Sequence, residues 1–131
     1  MTTKLLAALA AAAALLGGCN STSTFATKVN TPVIVAAQGM YADRACTSWV
    51  PPEPSVSSQP ANGRVTTVLG KYPIKQKGHP CDGAMLDRMI STYAPNAGFR
   101  GQDRFTIKYD YITDDGGGRA TTSRDFIVDV K

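Results

Sequence analysis

Histidine is nearly absent from this chain: the 131 residues contain one, His79. A Ser-His-Asp arrangement needs an imidazole beside its nucleophile, and no spacing signal builds one around His79. No glycine-rich loop follows a strand-like segment, so a phosphate cradle is missing as well. Charge of one sign is never concentrated. Lys and Arg outnumber Asp and Glu by 14 to 10, yet no basic run exceeds two residues, which argues against a nucleic-acid partner. There is no long stretch of helical periodicity, which argues against a helical fold. The apolar run Leu5 to Leu16 would span about 18 Å as a helix, well short of a hydrocarbon core of about 30 Å.

What that run does match is a leader. Lys4 supplies a positive start, leucine and alanine fill positions 5 to 16, and Gly17-Gly18 are the small residues of a cut site, as in a secretory signal. With Cys19 closing it, Leu16-Gly17-Gly18-Cys19 resembles the lipobox of bacterial lipoproteins. That resemblance implies removal of residues 1–18, diacylation of the Cys19 thiol and a membrane anchor. Several acyl chains together make such an anchor permanent where one would be marginal. Asn20, in place of the aspartate that often retains lipoproteins in the inner membrane, points to the outer membrane, facing the periplasm or the cell surface. Residues 19–31, rich in Ser, Thr and Ala, are expected to be a flexible tether, and residues 32–131 are long enough for one domain.

With Cys19 taken by lipid, Cys46 and Cys81 remain as an even pair in an oxidising compartment. A disulfide is the expected outcome, closing a loop of about 36 residues. The competing reading is a reactive thiol in His79-Pro80-Cys81-Asp82. The proline fixes a turn there without placing imidazole against sulfur.

From Thr31 onward, short apolar segments alternate with Pro, Gly, Asn and Asp, which predicts an all-β domain. Strands are expected over 33–37, 45–50, 64–69, 72–75, 89–93, 104–112 and 121–130, about seven and suited to a β-sandwich. A single helical turn competes over 84–90, where Met85, Leu86, Met89 and Ile90 read as core filler. Residues 51–63, rich in proline and serine, read as an exposed crossover, and Trp49 beside them as a core residue. The clearest element is the last hairpin. Phe105, Ile107, Tyr109 and Tyr111 share one side, Phe126, Val128 and Val130 answer them, and Asp114 to Gly118 make the turn.

Tyr93-Ala94-Pro95 followed by Gly98-Phe99-Arg100-Gly101-Gln102-Asp103-Arg104-Phe105 resembles the signature of bacterial immunoglobulin-like domains of secreted and surface proteins. Ile107 stands where that family usually has tyrosine. The resemblance implies an immunoglobulin-like sandwich in which Gly98 and Gly101 allow the turn, Phe99 plugs one end and Asp103 accepts backbone N–H groups across the corner. Trp49 follows Cys46 by only three residues, which departs from the antibody arrangement.

Taken together, these features predict a lipid-anchored, non-enzymatic binding or structural module of the envelope. Its partner would be an envelope protein or glycan, met by loops or an exposed edge strand. No catalytic residue, cofactor or metal is assigned. Two alternatives are a metal site and a small periplasmic hydrolase. The metal would be zinc at His79, Cys81 and Asp82, or calcium at Asp114 and Asp115. The hydrolase would draw its acids from Asp103, Asp110, Asp114 and Asp115.

Overall fold

The computed structural model describes residues 21–113 and 117–131. The leader, Cys19 and the turn residues Asp114, Asp115 and Gly116 lie outside them. Among the described residues there is no helix. The strands are β1 (Ser21–Thr27), β2 (Val33–Gln38), β3 (Tyr41–Ala42), β4 (Thr47–Ser48), β5 (Glu53–Ser58), β6 (Gly63–Pro73), β7 (Met85–Pro95), β8 (Gly101–Ile112) and β9 (Arg119–Val130). Seven of them form two sheets, ordered β1-β9-β8-β5 and β2-β7-β6, and β3 pairs with β4 as a small hairpin between β2 and β5. The result is an all-β fold of two facing sheets, a β-sandwich.

Alternation along β8 and β9 is what binds the sheets together. Phe105, Ile107 and Tyr109 on β8 are buried, as are Phe126, Val128 and Val130 on β9, and they meet Val35, Ala36 and Tyr93 of the other sheet in one cluster. A stack of aromatic rings runs through it. The Tyr93 and Phe105 centroids lie 5.6 Å apart, Phe105 and Phe126 5.2 Å, and Phe25 and Phe126 6.3 Å, separations at which offset rings attract beyond simple burial. Tyr109 is only 3% exposed, and its hydroxyl makes no hydrogen bond of sound geometry, the Ser91 side chain being the one polar neighbour close enough to act on it. Burying an unbonded hydroxyl costs free energy. Tyr109→Phe is therefore expected to leave thermal stability unchanged or raise it by up to about 1 kcal/mol, and a clear fall in the melting temperature would show that the hydroxyl is bonded.

Several expectations are corrected. The segment 19–31 is not a tether where it is described: residues 21–27 form β1, paired in parallel with β9 from Ser21 opposite Arg124 to Thr27 opposite Val130. Two causes act together. The ladder satisfies the outer edge of β9, and Phe25 lays its ring against Phe126. Residues 53–58 are strand β5 rather than loop, with Pro54 opposite Tyr109. β5 is an edge strand, where the missing proline N–H costs the ladder least. The helical turn over 84–90 is instead the first half of β7, which pairs with β6 through all of its eleven residues. Met85 is 55% exposed and not core filler, while Leu86 is buried. Trp49 is 46% exposed, because it rides an excursion between β2 and β5 that lies outside both sheets.

Candidate functional site

The residues that carried the family resemblance converge at one end of the sandwich. Asp103 opens the buried run of β8 and is 3% exposed. Its Oδ1 accepts the N–H of Ala61 (3.1 Å) and of Arg104 (3.0 Å), and its Oδ2 accepts the N–H of Asn62 (3.0 Å) and the hydroxyl of Tyr93 (2.8 Å). The carboxylate thus ties the β5–β6 connection to β7 and β8. Tyr93 is fully buried, and its hydroxyl is pushed far above its ordinary value near 10 by burial, and further by the hydrogen bond to Asp103 and the charge of Asp103. Gly63 lies over the ring so closely that a Cβ there would sit 2.4 Å from it. Gly98 and Gly101 adopt φ of 75° and 123°, and Phe99 between them packs against the core cluster. Both carboxylate oxygens of Asp103 are engaged in holding the loops and strands of this corner, so Asp103 serves the fold.

The opposite end is built by the disulfide. Cys46, just before β4, is bonded to Cys81 in the β6–β7 connection, with the Cα atoms 5.4 Å apart. The bridge joins two peripheral segments and is not a pin between the sheets. It also removes the reactive-thiol and zinc readings, since Cys81 is no longer a free ligand or nucleophile. His79 Nδ1 accepts the Cys81 N–H at 3.1 Å, which leaves the Nε2 proton to face Asp43 Oδ1 at 3.8 Å. The imidazole braces the turn. Among the described residues, no three of His, Cys, Asp and Glu are grouped to hold a metal ion.

A shallow cleft of about 210 Å³ is lined by Met40, Trp49, Val50, Ile112 and Thr113. It runs through Val50 and Ile112 into a smaller hollow of about 100 Å³ that adds Pro51, Tyr111 and Arg119. Val50 is 72% exposed and Ile112 46%. Ser48 Oγ accepts the Asp87 N–H at 2.8 Å, and the Trp49 N–H donates to the Met40 carbonyl at 2.8 Å, so the excursion carrying Trp49 is tied at Ser48 and at Trp49. Asp110 at the rim is held below the usual carboxylate range by the Thr121 hydroxyl and by Lys108.

A second exposed feature is the free edge of the three-stranded sheet. β6 is eleven residues long and pairs only with β7. Val68 and Leu69 on it are 60% and 62% exposed. Sequence reasoning missed both surfaces, because an apolar pair within a strand and a lone tryptophan read alike as core. The chain matches no protein-family model and no curated protein.

Proposed function

We propose that the chain is a lipid-anchored envelope lipoprotein, held through acylated Cys19 on the outer membrane, that works without catalysis as a binding module for an extended segment of another envelope protein. The observation that carries this reading is the edge of β6. Successive residues of a strand point to opposite faces, so Val68 and Leu69 cannot both be covered by a surface docking on one face of the sheet. A strand added alongside β6 flanks both at once and fills the unpaired backbone groups. Natural sheets normally blunt so long an edge, and β6 carries charge only at Arg64 and Lys71. Asp103, the one buried acid among the described residues, supports the same reading, because its carboxylate is engaged in four hydrogen bonds that hold the fold.

The test is an affinity pull-down from membranes of the native bacterium with tagged full-length protein, repeated with Val68→Lys/Leu69→Lys and with Cys19→Ala. One reproducible envelope protein, lost with the edge variant, is the expected result. A protein retained equally by the edge variant, or retention of glycan alone, overturns the strand-addition reading. An unchanged membrane fraction for Cys19→Ala overturns the anchor.

A further inference from the structure

The clefts around Arg119, Arg44 and Arg104 each include a carboxylate, from Asp110, Asp43 and Asp125. One cleft breaks that pattern. It holds about 280 Å³ beside the bulge of β2 and is lined by Lys75 and Arg88 together with Phe25, Ile34, Ala37 and Tyr72; none of the described residues around it is acidic. The acid next to Arg88 in sequence does not serve it. Successive residues of β7 point to opposite faces, and Asp87 is engaged by Lys71 at 2.8 Å. The Arg88 side chain makes no hydrogen bond or ion pair among the described residues, and its Nε is enclosed without an acceptor. Enclosing part of a charged group without a partner costs free energy that nothing in the fold returns.

The arm is nevertheless held in place. Arg88 lies across Gly39, where a Cβ would come within 3.1 Å of its Cγ, 3.2 Å of its Nε and 2.8 Å of the Asp87 carbonyl oxygen, so only glycine leaves room there. Lys75 is held in the same cleft by the Tyr72 ring, whose centre lies 5.4 Å from its Nζ. A guanidinium fixed by packing and left without a carboxylate is prepared for an oxyanion from outside. Its planar fork matches a carboxylate or a phosphate, and fixing it beforehand lowers the ordering cost of binding. The remaining walls are apolar and aromatic, which suits a body with few polar atoms. The volume falls just below the roughly 300–1,000 Å³ of small-molecule sites, so that body is short. We propose that this cleft is a binding site for a small amphiphilic oxyanion, a carboxylate or phosphate on a short apolar body, with Arg88 as its principal partner and Lys75 as a second charge. The site needs neither the lipid anchor nor a strand on the free edge of β6.

The test is a titration of isotope-labelled full-length protein with hexanoate, hexyl phosphate, hexanol and inorganic phosphate, followed through backbone amide and arginine side-chain NMR signals. Saturable shifts with at least one of the two amphiphilic anions, confined to residues 34–37, 72–75 and Arg88, are expected, with weaker binding of hexanol and of inorganic phosphate. The tighter of the two anions identifies the ligand class. Arg88→Gln should weaken binding roughly tenfold or more, the share of a charge-assisted hydrogen bond, and Lys75→Gln, at an exposed position, by a smaller factor. Arg88→Lys keeps the charge but loses the fork, and should fall between wild type and Arg88→Gln. Arg100→Gln, exposed and outside the cleft, should change nothing. Shifts that do not saturate, or that weaken equally in Arg100→Gln, overturn the site in favour of unspecific charge attraction. Hexanol binding as tightly as both anions overturns the oxyanion and leaves an apolar cleft. Should Arg88→Gln lose its folded spectrum, Arg88→Lys and Lys75→Gln decide, and unchanged binding in both overturns the assignment.

Discussion

Asp103→Ala is expected to lower stability by about 3–5 kcal/mol, because it strands several buried donors at once. The Ala61, Asn62 and Arg104 amides and the Tyr93 hydroxyl all lose their acceptor, and a methyl group cannot replace it. For a domain of this size such a loss lowers the melting temperature by roughly 15–30 °C. Asp103→Asn keeps the shape but turns an NH2 group toward donors, so it should recover only part of the loss. Thermal and urea denaturation of the three forms measure this directly. A loss below about 1 kcal/mol for the alanine variant would mean that water reaches the corner and satisfies the stranded groups.

The same corner gives the protein an alkaline limit. Tyr93 titrates in the folded state far above its ordinary value, through burial first and then its bond to Asp103 and the charge of Asp103. A group raised on folding contributes stability that is whole below its unfolded value near 10 and drains away as pH climbs toward the folded value. Tyr109 shifts the same way through burial, opposed by the charge of Arg124 and by the neighbouring Ser91 side chain. Denaturation carried upward from about pH 9 should therefore show falling stability in the wild type and a shallower fall in Tyr93→Phe, where only the Tyr109 share remains.

What could be read from the sequence follows from how local each signal is. The β8–β9 hairpin was legible because one face is buried throughout, so Phe105, Ile107, Phe126 and Val128 fall at period two without any knowledge of partners. The Asp103 corner was legible through its neighbours Gly98, Phe99 and Gly101. β1 was not. Its Ser and Thr residues carry a single large apolar side chain, Phe25, and its ladder partner lies at the far end of the chain. β5 was hidden by prolines whose cost depends on being at an edge, a property of the sheet and not of the segment. The same limit hid both candidate surfaces. Whether Val68, Leu69 or Trp49 is covered depends on which strand ends the sheet and where the excursion between β2 and β5 is tied, and neither leaves a local trace.

Removing the disulfide, by Cys46→Ser/Cys81→Ser, is the other large effect. The bridge spans a sequence separation of 35 residues, and in the chain-entropy picture closing such a loop stabilises the fold by roughly 3–4 kcal/mol. The closed segment contains β5 and β6, an edge strand from each sheet, so the constraint acts on the whole sandwich even though the sulfurs sit at its periphery. A local effect adds to this. Cys46 holds a left-handed φ of 50°, a conformation that disfavours a residue with a Cβ, and without the bridge it is free to relax. The excursion would then depend on the Cys46-to-Ala42, Trp49-to-Met40 and Ser48–Asp87 hydrogen bonds. Amides over 41–49 should exchange with solvent much faster in the double variant, while those of the Asp103 corner keep their protection relative to global unfolding. Trp49 emission should shift to longer wavelength in the same variant as the cleft loosens. A global loss under about 1 kcal/mol with unchanged exchange would mean that the backbone hydrogen bonds alone hold this end, and that the bridge only locks a geometry already formed.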